Sequence, residues 1–287
     1  VLTDDCYRRT REFALTFLKR LGINCTIVPM GNYQTLEDAI RPETRLLISE
    51  SPTNPYLRVL DLERFVDVAR RRKIKTMVDA TFATPINIQP LAWGVDLVVH
   101  SASKYLAGHN DLLAGVVAGE AGLIASLRGP LGVLGGIIDP NNANWVLRGV
   151  KTLALRVERQ NQSGIKVAQF LEAHPKIEQV WYPGLASHPD HKVAIQQMKG
   201  FGGMMSFVLK KGSNVEEVLR GFDLFALAES LGGAASLVEH PGGMSHASMP
   251  EDYRQTVGIT NELIRLSIGL ENADDLIDDL KKALKKA

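Results

Sequence analysis

Leu97-Val98-Val99-His100-Ser101-Ala102-Ser103-Lys104 decides the fold. Its first three residues are apolar and partly β-branched, and read as a buried strand. A polar run follows at once, with two serines one residue apart and then a lysine. Two earlier stretches share this form. Leu46 to Ser49 runs into Glu50-Ser51-Pro52-Thr53-Asn54-Pro55, and Thr76 to Val78 runs into Asp79. Strands apolar throughout are buried on both faces. Polar residues at their carboxyl ends fall where open α/β sheets gather ligands.

Helical patterns separate these strands. Tyr7 to Leu21 predicts a helix with Phe13, Phe17, Leu18 and Leu21 on one face and Gly22 as the stop. Cys25 to Val28 is a short β-rich run. Thr35 is placed as the cap of a helix over Leu36 to Arg41, ended by Pro42. Asp61 caps the next helix, in which Leu62, Phe65, Val66 and Ala69 share a face. Ala114 to Ala118 is a further strand. This alternation predicts an α/β fold built on a mostly parallel sheet. The later chain changes character. Asn142 to Leu171 is largely helical; Ile177 to Trp181, Met204 to Leu209 and Leu266 to Ile268 are expected strands. Val215 to Arg220 and Ala273 to Lys285 are expected helices. The division predicted is a large domain over 1–155 and a smaller C-terminal α+β domain over 156–287. Gly129 to Gly136 is glycine-rich, but its apolar residues argue against a flexible linker.

Bulk properties exclude several classes. A chain of 287 residues with 45% hydrophobic and 23% charged residues can bury one large or two ordinary cores. The formal net charge of +1 gives no electrostatic footprint for nucleic acid or an anionic membrane. No apolar run approaches the roughly 20 residues of a membrane helix. The two cysteines, Cys6 and Cys25, make no disulfide framework, which suits a reducing compartment. Val1 stands where an initiator Met is expected. The expectation is a chain that begins inside a longer one, with any targeting segment further upstream.

Asp79 and Lys104 carry the chemistry. An acid closing a buried strand is costly unless it meets a cation or donors. A protonated pyridine nitrogen is such a partner, and its positive ring would draw electrons from a substrate carbon. A lone acid after a strand is more often a helix cap or a surface charge. Lys104 alone is equally weak, since most lysines are solvated. Its setting is stronger. The hydroxyls of Ser101 and Ser103 and the turn amides suit a phosphate. A lysine beside them would reach an aldehyde, using an amine whose pKa burial has lowered.

Ser51-Pro52-Thr53-Asn54-Pro55, Asp79-Ala80-Thr81-Phe82-Ala83-Thr84-Pro85 and His100-Ser101-Ala102-Ser103-Lys104-Tyr105 occur in the order and rough spacing of a known family. So do Leu227-Ala228-Glu229-Ser230-Leu231-Gly232-Gly233 and Leu263-Ile264-Arg265-Leu266-Ser267-Ile268-Gly269-Leu270. The chain resembles, over its whole length, the Cys/Met-metabolism pyridoxal-phosphate enzymes. The resemblance implies the aspartate-aminotransferase-like fold (fold type I), pyridoxal 5'-phosphate as cofactor, no metal, and a homotetramer built from dimers with shared active sites. It implies that Lys104 bonds the cofactor aldehyde and later moves protons. Asp79 would pair with the pyridine nitrogen. Ser101 and Ser103 would bind the phosphate; the second is commonly Thr in relatives. Tyr7 matches the tyrosine that stacks on the ring. Asn54 matches a residue near the ring oxygen and the substrate carboxylate. Ser230 and Arg265 match the carboxylate site, with Thr81 and Glu229 beside the cofactor and substrate. The family's upstream glycine-containing phosphate loop, and the tyrosine and arginine that cross to a neighbouring subunit, have no counterpart in this sequence.

Within the family, Tyr7-Arg8-Arg9-Thr10-Arg11, Gly108-His109-Asn110-Asp111 and Trp181-Tyr182-Pro183-Gly184-Leu185 with Ser187-His188-Pro189 most resemble plant-type cystathionine γ-synthases. Arg9 stands where methionine γ-lyases typically have Cys. Glu229 departs from the plant pattern and resembles bacterial synthases and cystathionine γ-lyases. The resemblance implies amino-acid substrates: a homoserine ester with cysteine, or cystathionine in the lyase alternative. The implied compartment is the cytoplasm, or a plastid for a plant protein. Three other classes compete. A metal site at His188-Pro189-Asp190-His191 is disfavoured because proline breaks a two-His helical face, so a solvated loop is expected. A dinucleotide loop at Gly200-Phe201-Gly202-Gly203 lacks the last glycine of the fingerprint, Met205 standing there. A non-catalytic binding or assembly fragment is the third, separable by its lack of cofactor absorbance.

Overall fold

The computed structural model describes residues 1–245, 247, 254 and 258–287. Six strands form the first sheet: β1 (Leu2–Thr3), β2 (Ile27–Val28), β3 (Leu46–Glu50), β4 (Lys75–Asp79), β5 (Leu97–Ser101) and β6 (Gly115–Gly119), in the order β2-β1-β3-β4-β5-β6. Every pairing is parallel except β5 with β6. The mostly parallel sheet expected from the apolar runs is present.

Helix Leu62–Arg71 covers one face of this sheet. Asp61 caps it by accepting from Arg64 N. Leu62, Phe65, Val66 and Ala69 are buried as their spacing requires, and they join Leu47, Val78 and Val98 in one core. Phe65 is wholly enclosed, and truncating such a ring costs about 3–5 kcal/mol.

The second sheet is β7 (Ile177–Trp181), β8 (Met204–Leu209), β11 (Leu263–Ser267), β10 (Leu237–Glu239) and β9 (Ala226–Leu227), in that order. It is antiparallel except for β10 with β9. Helices Leu153–Glu172 and Ala273–Leu284 pack on it through Val167, Leu171, Leu276 and Leu280, which meet Phe207 and Ile264. Helix Leu153–Glu172 runs through the 155/156 boundary.

Several local expectations change. Asn32, not Thr35, caps the second helix, accepting from Thr35 N, and the helix spans Tyr33–Asp38. The first helix begins at Arg8 and turns π-helical over Phe13–Phe17. Most of its apolar face is open: Phe13, Phe17 and Leu21 are exposed, while Ala14 is buried and Leu18 packs against the small core of Leu2, Cys6 and Ala14. Gly129 to Gly136 mostly belongs to helix Ala121–Leu134, with Gly135 left-handed at its end. The strand expected at Leu266 to Ile268 begins earlier, at Leu263.

The stretch from His188 to His191 is not a solvated loop. His188 is buried, and Asp190 holds Arg58 of the other layer through Nε–Oδ2 at 2.6 Å and Nη2–Oδ1 at 3.1 Å. Val59 N donates to the same carboxylate at 2.9 Å. Among the described residues no cluster of His, Cys, Asp and Glu fits a metal ion. No helix among them is long and apolar enough to cross a membrane.

Candidate active site

Strands β3, β4 and β5 lie side by side and end together. Glu50 is in register with Asp79, and Asp79 with Val99. The polar residues after each strand therefore meet at one edge of the sheet, as their sequence positions predict.

Thr81 ties two of these ends. Its Oγ1 donates to Asp79 Oδ1 at 2.5 Å and accepts from Ser101 N at 2.9 Å. Thr81 N also donates to Asp79 Oδ1 at 2.9 Å. Burial pushes the Asp79 pKa up, and the two bonds from Thr81 pull it back; no cation acts on it. A half-buried carboxylate with one oxygen satisfied, and no cation among the described residues acting on it, suits a protonated ring nitrogen. His100, just before the turn, is held neutral by burial, its pKa pushed down to about 4. It brings no competing charge.

Ser101 and Ser103 differ. Among the described residues the Ser101 hydroxyl makes no hydrogen bond, which suits a group that would donate to a phosphate. The Ser103 hydroxyl accepts from Ala114 N at 2.9 Å and donates to Ala114 O at 3.3 Å. That ties the lysine turn to the start of β6. For Ser103 to donate to a phosphate, the weaker of these bonds must break.

Lys104 Nζ donates to Ser230 Oγ at 3.2 Å, across 126 residues of sequence. Burial lowers the lysine pKa, and the Arg265 charge lowers it further; Glu239 and Glu229 oppose. The free amine is thereby favoured, as a lysine that must attack an aldehyde needs. Arg156 fixes the far side of the turn. Its Nη1 donates to Tyr105 O at 2.8 Å, and Gly108, at φ +76, lies so close that a β-carbon would meet Nη1 at 2.2 Å.

Arg265 is buried on β11. Its Nη1 donates to Asn54 Oδ1 at 3.0 Å and its Nη2 to Glu229 O at 2.9 Å. Nη2 also pairs with the Glu239 carboxylate. Asn54 and Arg265 thus join the two layers at the site. Glu229 contributes its carbonyl here, while its side chain is exposed. Tyr7 stands at the start of the first helix, exposed, and Tyr7 N donates to Glu50 Oε2 at 2.7 Å. That bond anchors the tyrosine segment to the end of β3, beside Asp79.

Three participants were not recognised from the sequence. Glu50 and Glu239 each close an apolar strand, as Asp79 does, and that was the available signal. Asn110 stands inside a quoted motif, but nothing in the text links it to Ser230, whose Oγ donates to Asn110 Oδ1 at 3.4 Å.

Comparison with known proteins identifies the family. The profile of the Cys/Met metabolism PLP-dependent enzymes matches residues 1–285. Cystathionine γ-synthase 1, chloroplastic, of Arabidopsis thaliana is 43% identical over 99% of this chain and 51% of its own length. Cystathionine γ-lyase of Bacillus subtilis is 43% identical over 99% of this chain and 76% of its own. The chain thus spans about half of the plant relative and three quarters of the bacterial one. A crystal structure of cystathionine γ-lyase from Lactobacillus plantarum complexed with L-serine superposes with a TM-score of 0.95, at 37% identity, over 99% of this chain and 75% of that one.

Family match and fold together place the chain among the fold type I pyridoxal-phosphate enzymes. The chain belongs to the Cys/Met-metabolism family of these enzymes, and pyridoxal phosphate is its cofactor.

Proposed function

We propose that the protein is a cystathionine γ-synthase, replacing the γ-substituent of an activated homoserine ester with the sulfur of cysteine. The observation that carries the site assignment is the convergence of Lys104, Ser230, Arg265 and Asn54 beside Asp79. The choice of synthase rests on the sequence around Tyr7 and His109 and on likeness to the Arabidopsis enzyme. Glu229 and the Bacillus relative support cystathionine γ-lyase as the second reading.

When bound, pyridoxal phosphate supplies a positively charged ring that accepts electrons from the substrate carbons. Asp79 would keep the ring nitrogen protonated, while Ser101, with Ser103 beside it, receives the phosphate. Tyr7 would lie on the ring face. Arg265 would grip the substrate carboxylate through its fork, with the Asn54 amide N–H groups adding donors. That grip would fix the orientation of the substrate's Cα–H bond. Lys104, as a free amine, would take the α-proton and then help remove a β-proton. The γ-leaving group would depart with its bonding electrons, the cysteine thiolate would bond to the γ-carbon, and Lys104 would return protons to the β- and α-carbons.

The reading includes a homo-oligomer with shared sites. Leu113, Val133, Leu134, Ile137, Trp145 and Leu155 are exposed in the single chain, apolar side chains that a neighbouring subunit would cover. It also includes a cytoplasmic or plastid setting, consistent with the two unpaired cysteines.

Borohydride reduction and peptide mapping test the lysine; a pyridoxyl group on any lysine but Lys104 would refute the assignment. Cysteine with phospho-, succinyl- or acetyl-homoserine, and cystathionine in parallel, test the reaction. Cystathionine formation from one ester is the expected result. Rapid cystathionine cleavage with no synthesis would favour the lyase.

A further inference from the structure

Asn110 sits in the loop after the Lys104 turn, in the left-handed region at φ 57. Asparagine tolerates that conformation better than most side chains do. Its amide is packed against the glycine pair after Ser230: a β-carbon at Gly233 would lie 2.4 Å from Asn110 Nδ2 and 2.9 Å from Oδ1. The side chain is thus held between Gly233 and Ser230. Lys104 Nζ donates to Ser230 Oγ at 3.2 Å, and Ser230 Oγ donates to Asn110 Oδ1 at 3.4 Å. The two bonds run in one direction, from amine to hydroxyl to amide.

We propose that Asn110 is a positioning residue for Lys104, acting through Ser230. It takes the single hydroxyl hydrogen of Ser230 and so turns the serine's lone pairs toward the lysine. The inference rests on the reading of Lys104 as the cofactor lysine. A serine hydroxyl has one hydrogen to give. With that hydrogen committed to Asn110, Ser230 accepts an N–H from Lys104 and leaves the amine's own lone pair free. Without Asn110, the hydroxyl would turn and donate to that lone pair, blocking the atom that must attack an aldehyde or take a proton. A hydrogen bond to the neutral amine also favours the neutral form, so losing Asn110 lowers the lysine pKa. The charged groups acting on Lys104 are Arg265, Glu239 and Glu229, and Asn110 adds no charge to them.

The test is the pH dependence of Lys104 acetylation in the full chain, stripped of cofactor with hydroxylamine and read by peptide mass spectrometry. Asn110→Gly preserves access to positive φ and should move the midpoint down by about half a pH unit, with a lower limiting rate. Asn110→Asp keeps the acceptor, adds a negative charge, and should move the midpoint up by a similar amount. In a Ser230→Ala background, Asn110→Gly should change nothing further. An unchanged midpoint and rate in Asn110→Gly would overturn the proposal, and so would an equal effect of Asn110→Gly with and without the serine. Acetylation is read without cofactor, so the result stands apart from borohydride mapping. A failure of that mapping would remove Lys104 from catalysis without touching the hydrogen-bond chain.

Discussion

Arg265 and Glu239 stand opposite each other on β11 and β10 and form an ion pair whose side chains are only 3% and 1% exposed. Both groups are buried, so each depends on the other's charge. The guanidinium meanwhile spends its N–H groups on Asn54 and on the Glu229 carbonyl. Arg265 is therefore both a structural cation and the proposed clamp for the substrate carboxylate.

These two roles separate by substitution. Glu239→Gln leaves a buried guanidinium without its counter-charge and should cost about 3–5 kcal/mol in urea unfolding. Arg265→Lys keeps a charge for Glu239 but loses the planar fork. It should raise the KM for the amino-acid substrate about tenfold or more and cost about 1–3 kcal/mol of stability. A Glu239→Gln protein as stable as its parent would show that the pair does not anchor the strand.

Asp79 sets a second expectation. Asp79→Asn keeps the size and an acceptor for Thr81 but removes the negative charge. Turnover should fall about a hundredfold or more, because a neutral ring withdraws electrons poorly. Lys104 should still bond the cofactor, seen as retained absorbance and borohydride labelling. Turnover within a few-fold of the parent would remove Asp79 from the role.

The sheet edge that gathers the proposed site residues was legible because each strand there is short, apolar and closes on polar residues. Lys104, Asp79 and Asn54 could be placed from text alone. Partners across the two layers were not. Nothing local to Arg265 points to Glu239, and nothing around His188 announces burial, since Pro189 and two polar neighbours read as a loop. The helix from Arg8 misled for a different reason. Its spacing identified an apolar face, but this single chain leaves that face open, with Phe13 and Phe17 stacked 5.1 Å apart at the surface. Periodicity marks a face that wants cover, not what covers it.

The Arg58–Asp190 pair is a second tie between the two layers near Asn54, beside the Arg265–Asn54 bond. Asp190→Ala removes the acceptor of Arg58 and of Val59 N. The guanidinium is one-third exposed, so water offsets part of the loss. The expected cost is about 1–3 kcal/mol. Hydrogen exchange should also quicken across Thr53 to Leu60, whose course depends on this clamp. Exchange rates unchanged in that stretch would mean the loop holds its own shape.

Asp5 yields the clearest pH dependence. Both of its carboxylate oxygens are buried without a hydrogen-bond partner among the described residues. Burial, then the charge of Asp4, pushes its pKa from 3.8 up to about 7, and Thr53 and Arg58 pull it back only in part. A raised acid is favoured in its protonated form by the fold. Below pH 3.8 the group is protonated in both states, so no ionisation penalty exists. Between pH 3.8 and about 7 the unfolded chain loses this proton while the folded chain keeps it, and stability falls steadily as pH rises. Above about 7 both states are ionised and the penalty is constant, on the order of 4 kcal/mol. Asp5→Asn has nearly the same shape and no proton to lose. It should therefore unfold at higher urea than the parent at pH 8, by up to about 4 kcal/mol, and show little difference at pH 4. Two residues further on lies Tyr7, held through its backbone N–H by Glu50. If the parent and Asp5→Asn unfold alike at both pH values, Asp5 carries no buried charge and the segment leading to Tyr7 is more open to water than its packing implies.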